Sequence, residues 1–201
     1  MKKIIVAVAI VVILSATVGW AEETPSEKKR EWGKFSLGLV AGFVTHEAGH
    51  QIIAWGYGDK LDWSFNKNGQ ALSWFANIHN GEHLRNIALG GTLAEIISSE
   101  TLLYSAARKD SSFVIGWLTW NIANPILYVL CHELGGGYQD LETIQKNEHG
   151  LNVRWIEAIK VGHALFTAYR LWTNPQFQDS KIRYYIGPSR DGIAAGIQYR
   201  W

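Results

Sequence analysis

The sequence predicts a mainly α fold: a bundle of about four apolar helices, expected to be membrane-embedded, with small β-hairpins, one at the C-terminus. Three observations predict it. Hydrophobic residues make up 47% of the chain and charged residues only 18%, below the roughly 25% charge of ordinary soluble domains. The run Ser112–Cys131 holds no charged residue over twenty positions. At about 1.5 Å per residue such a helix crosses about 30 Å of hydrocarbon. Two short alternating stretches flank turn-forming residues, which is the pattern of hairpins.

The elements follow in order. Residues 1–21 read as a secretory signal or N-terminal anchor, with Lys2 and Lys3 before an apolar body and Gly19-Trp20-Ala21 as a small-x-small site. Residues 22–34 are charged, contain Pro25, and read as an exposed linker. A helical domain is expected over 35–172. Its first helix runs from about Phe35 to Tyr57, where Gly56 and Gly58 provide a stop. A hairpin is expected from Leu61–Phe65 and Ala71–Phe75 around Asn68-Gly69. The second helix spans about Leu84–Ala107, and the third about Ser112–Cys131, interrupted by Asn121, Asn124 and Pro125. His132–Asp140 reads as a glycine-rich polar turn, 141–154 as a helix start and loop, and Trp155–Trp172 as the fourth helix. The tail, 173–201, is expected to form a hairpin of Ile182–Ile186 with Ile193–Trp201.

A net charge of +1 gives no global field for nucleic acid. The single cysteine, Cys131, excludes an intrachain disulfide and reads as a small core residue. A compact soluble helical domain reads much like a membrane bundle. Lys28, Lys29, Arg30 and Lys34 run against the positive-inside bias if the leader is cleaved. The aromatic end Tyr199-Arg200-Trp201 resembles an outer-membrane address, but no series of alternating ten-residue segments supports a barrel.

The stretch that carries chemistry is His46-Glu47-Ala48-Gly49-His50. Residues four apart share one helix face, so two imidazoles converge on one ion. Catalytic zinc takes three protein ligands and keeps a position for water, and Glu47 lies beside His46 to take a proton from that water. Apolar flanks make three titratable residues costly to bury unless something satisfies them. A third ligand is needed, and Asp140, Glu133, His132, His163 and Glu95 are the candidates. Asp140 stands first because a loop after the third helix can fold back to the first, and Glu133 is next.

With HEAGH in an apolar helix, LGGTLAEI in a later one and Asn124-Pro125 in another, the chain resembles the site-2-protease-like, membrane-embedded zinc metallopeptidases over roughly residues 35–141. The resemblance implies that His46 and His50 bind zinc and that Glu47 activates water. It implies an aspartate as third ligand shortly after the Asn-Pro element. In this chain the first aspartate there is Asp140, fifteen residues after Pro125. Thr92 and Glu95 stand where the family usually has a proline and an asparagine. The expected partners are a peptide or membrane-protein substrate and membrane lipid, in a bacterial envelope: inner membrane first, periplasm or outer membrane as alternatives. The competing expectation is an exported, non-catalytic zinc-binding or envelope structural protein.

Overall fold

The computed structural model describes residues 25–65, 72–77, 80–105, 111–135, 139–147, 152–178, 181–189 and 192–199. The signal-like start, the expected Asn68-Gly69 turn, Gly136–Tyr138, residues 190 and 191 and the last two residues lie outside the described residues.

The first helix, α1, spans Pro25–Gly56. It therefore absorbs residues 25–34, which the sequence reading gave to a linker. Proline suits a first helical turn because it needs no amide donor there. The charged residues that follow are good helix formers and pair along one face, Glu27 with Arg30 and Glu31 with Lys34. The helix stops where Gly58 takes a φ of +76°, the left-handed conformation that glycine adopts without strain.

Strands β1 (Asp62–Phe65) and β2 (Leu72–Phe75) pair antiparallel, with Trp63 opposite Trp74. Helix α2 covers Gly81–Tyr104. It begins earlier than expected because the Asn80 side chain accepts from the amides of Glu82 and His83. Helix α3 covers Ser112–Glu133 and continues through Pro125, so His132 and Glu133 belong to its last turn, not to a loop. It is the one helix among the described residues long and apolar enough to cross a membrane.

The helix start expected from 141 is a short helix, α4 (Gln139–Lys146), which begins two residues earlier, inside the expected turn, and has Leu141 and Ile144 both buried on one side. Helix α5 (Val153–Thr173) starts at an Asn152 cap, and the four-residue α6 (Pro175–Gln178) follows. Strands β3 (Ile182–Ser189) and β4 (Gly192–Tyr199) form the antiparallel C-terminal hairpin.

Small residues let the long helices meet backbone to backbone. A Cβ on Gly49 would lie 2.3 Å from the Gly90 carbonyl oxygen, so α1 and α2 cross there without side chains between them. Gly116 likewise abuts the Phe35 carbonyl and joins α1 to α3. One apolar cluster, including Phe35, Leu118, Leu171 and Phe177, fills the end near the start of α1. Another, including Ala54, Leu61, Ile87, Leu141 and Ile156, fills the opposite end. Polar groups also lie inside: His46, His50, Glu95, Asn121, Asn124 and Lys160 are all buried. The outward faces are the reverse. Leu37, Ile52 and Trp55 of α1 are 60–64% exposed, Ile97 of α2 65%, and Trp155 of α5 70%.

Glu31 ties α1 to α3. Its buried carboxylate accepts from Ser112 Oγ at 2.7 Å and from Lys34 Nζ at 2.7 Å. Burial alone would raise its pKa, but those two bonds and the charges of Lys34 and Arg30 hold it below its usual 4.5. A carboxylate with a depressed folded pKa contributes stability above its unfolded pKa and loses it as pH falls through the folded one. Glu31→Gln should therefore lower stability by about 1–2 kcal/mol at neutral pH. The deficit should shrink as pH falls below 4.5. Thermal unfolding of both proteins across pH 3–7 checks it; a pH-independent difference would contradict the tether.

Candidate metal centre

The HEAGH segment lies in α1 two turns before its end, facing α2. His46 and His50 are each 1% exposed, although imidazoles usually keep access to water. Their Nε2 atoms lie 3.2 Å apart. Asp140, in the first turn of α4, brings Oδ2 to 3.3 Å from both. The three atoms thus form a nearly equilateral triangle. Ligands at about 2.0–2.1 Å from a tetrahedral ion stand about 3.3 Å from one another, so the triangle has the size of one face of such a site.

The outer nitrogens fix the proton positions. His50 Nδ1 lies 2.7 Å from the Ile87 carbonyl oxygen, which only accepts, so Nδ1 carries the proton. His46 Nδ1 lies 3.0 Å from Glu95 Oε1, and Asn124 Nδ2 donates to that same oxygen at 2.6 Å. Both Nε2 atoms then present lone pairs to each other and to Asp140. Asp140 Oδ2 is buried and has no hydrogen-bond partner among the described residues, while Oδ1 accepts from Trp74 Nε1 at 3.2 Å. An orphaned carboxylate oxygen against two imidazole lone pairs, in a buried setting, is a donor set that fits a divalent cation. The backing of each imidazole by a carboxylate or carbonyl is the arrangement that orients metal-binding histidines.

Gly91 completes the cradle. A Cβ there would stand 2.6 Å from both His46 Cε1 and His50 Nε2, so any larger residue would push the rings out of this arrangement. Glu47 is part-buried beside His46, and no donor among the described residues hydrogen-bonds its carboxylate. No fourth cysteine, histidine or carboxylate joins the three among the described residues.

The other candidate ligands go elsewhere. His132 binds Glu157 at 2.6 Å, and Arg154 bridges Glu157 and Glu133. His163 meets Glu100, which Arg170 also holds. Glu95 backs His46 instead of joining the triangle. Trp74 and the Ile87 carbonyl gave no signal in the sequence, because their roles exist only once α4 and α2 pack onto α1. The chain matches no family model, no curated protein and no solved structure.

Metal content follows from this geometry. The purified protein should hold one divalent ion per chain, lost in His46→Ala and Asp140→Ala and retained in Glu133→Ala. Glu95→Gln and Gly91→Ala should weaken binding about 10–100-fold. Elemental analysis and competition with a chelator measure both; retention in Asp140→Ala would remove it from the ligand set.

Proposed function

We propose that the chain is a membrane-embedded zinc metallopeptidase of the site-2-protease-like kind, hydrolysing peptide bonds of a peptide or membrane-protein substrate. The observation that carries this reading is the triangle of His46 Nε2, His50 Nε2 and Asp140 Oδ2, with a part-buried carboxylate, Glu47, next in sequence to one ligand. Two nitrogens and one carboxylate oxygen are the ligand chemistry of catalytic zinc, and three protein ligands leave a coordination position for substrate. A structural site would close all four. Asp140 reaches the histidines from α4, so the aspartate implied by the resemblance is supplied by a separate helix.

Zinc in this site would supply Lewis acidity, polarising the scissile carbonyl and acidifying a water molecule. The chain's own groups do the rest. Glu47 takes a proton from the attacking water as the new carbon–oxygen bond forms and the carbonyl electron pair moves onto oxygen. The carbon–nitrogen bond then breaks, and Glu47 returns the proton to the departing amine. The second water proton passes from the new carboxyl group to the amine, so the products are a carboxylate and an ammonium, and the glutamate is regenerated. Glu95 and Asn124 hold His46 in the tautomer that leaves Nε2 free, and the Ile87 carbonyl does the same for His50.

The membrane setting rests on the inversion of polarity. Buried histidine, glutamate, asparagine and lysine occupy the interior, while Leu37, Ile52, Ile97 and Trp155 point outward. Exposed apolar stripes on several helices suit lipid, and intramembrane ionisable groups face the bundle interior. The signal-like start favours a bacterial envelope, inner membrane first.

Glu47→Gln separates catalysis from metal binding. It should keep full zinc content and lower kcat about 10²–10⁴-fold on an internally quenched apolar peptide. Unchanged turnover with zinc retained would sink the proposed role.

A further inference from the structure

Lys160 of α5 is the largest fully buried side chain, at 1% exposure, and no carboxylate pairs with it among the described residues. Its Nζ donates to Thr92 Oγ1 at 2.8 Å and lies 4.6 Å from the centre of the Tyr128 ring. Both neighbours border the metal centre. Thr92 follows Gly91, whose Cα faces both imidazoles, and the Tyr128 hydroxyl lies 3.5 Å from His46 Nε2. An ammonium without an anion is among the most expensive groups to bury, since only an opposite charge or several acceptors offset its lost hydration. One hydroxyl and one ring face leave it donor capacity to spare, because a lysine ammonium has three N–H groups.

From these contacts the geometry points to Lys160 and Tyr128 as the groups that receive the oxyanion of the reaction. The inference rests on the peptidase reading. As water adds to the carbonyl, the carbonyl oxygen gains the electron pair that leaves the carbon–oxygen π bond. The Tyr128 hydroxyl donates to that oxygen, and the Lys160 ammonium supplies the counter-charge within a water-poor bundle. Such donors act mainly in the transition state, where the charge develops, so they raise kcat more than they lower KM. The anion needed to compensate buried Lys160 thus arrives with the reaction itself. Thr92 and the Tyr128 ring hold the ammonium in place meanwhile.

The test compares wild type, Lys160→Met, Lys160→Arg and Tyr128→Phe, each loaded with zinc. The probes are an internally quenched apolar peptide and a phosphinic peptide whose tetrahedral P–O⁻ mimics the oxyanion. Lys160→Met should keep one zinc per chain and an equal or higher Tm, because an apolar chain of similar volume replaces a buried charge. Its kcat should fall about 10²–10³-fold with KM nearly unchanged, and its affinity for the phosphinic peptide should fall in parallel. Tyr128→Phe should lose kcat in the same way, and Lys160→Arg should recover part of it. Wild-type kcat and phosphinic affinity in Lys160→Met would overturn the inference alone. So would a loss explained by lower Tm and lost zinc in Lys160→Met, with Tyr128→Phe and Lys160→Arg at wild-type rate. A wild type that holds zinc but neither cleaves the peptide nor binds the phosphinic probe would overturn the peptidase reading and this inference with it.

Discussion

Two imidazole lone pairs and an orphaned carboxylate oxygen, all within about 3.3 Å of one another and sealed from water, are the constraint on which the rest of the structure turns. Two nitrogens and an oxygen at these distances can close on one cation together. Each neighbouring element serves their placement. α1 provides the four-residue spacing, α2 provides Glu95, the Ile87 carbonyl and the flat face of Gly91, and α4 carries Asp140. The hairpin supplies Trp74, which orients that carboxylate. The close helix crossing at Gly49 and Gly90 is a consequence of the same demand, since side chains there would hold α2 away from the histidines.

The interior has three zones. Apolar clusters occupy both ends, and the polar groups of Asn121, Asn124, Glu95 and Lys160 are buried with the histidines. Apolar packing positions the helices, and the polar groups are partly paired with one another, while Glu95 Oε2, Asn121 Oδ1 and Asp140 Oδ2 are buried without a hydrogen-bond partner among the described residues. Asn121 alone donates to the Glu95 carbonyl, Ser98 and Ser99. Such a network costs stability in hydrocarbon unless it is satisfied, and it fixes the register of α2 against α3 when it is.

What the sequence revealed followed the range of the interactions. The two histidines and Glu47 were legible because a helix turn is local and four residues set it. The C-terminal hairpin was legible from its apolar stretches and turn residues, but its strands pair closer to the turn than expected, through Ser189 and from Gly192 instead of ending at Ile186 and starting at Ile193. The helix at 25–34 was not, because its charges resemble a linker; the i,i+3 pairs of Glu27 with Arg30 and Glu31 with Lys34 are the signal that reveals it. The start of α4 was legible near 141, where Leu141 and Ile144 carry the spacing of a one-sided helix, but its first two residues were merged with the glycine-rich turn that precedes them. Asp140 stood first among the third-ligand candidates with Glu133 next, and only packing shows that Arg154 already holds Glu133. Glu95 drew attention as one of two acids, with Glu100, in an apolar run, but its hold on His46 depends on how α2 docks. Lys160 drew none, because a single lysine in a helix ordinarily reaches water.

The most direct test of the central claim is X-ray absorption at the zinc edge of protein purified without chelator and loaded with one equivalent of zinc. Two imidazole nitrogens at about 2.0–2.1 Å, one carboxylate oxygen at about 2.0–2.2 Å and one further light atom are expected. In Asp140→Ala the carboxylate contribution should disappear. A wild-type spectrum with four protein ligands, or without histidine scattering, would contradict the open three-ligand site.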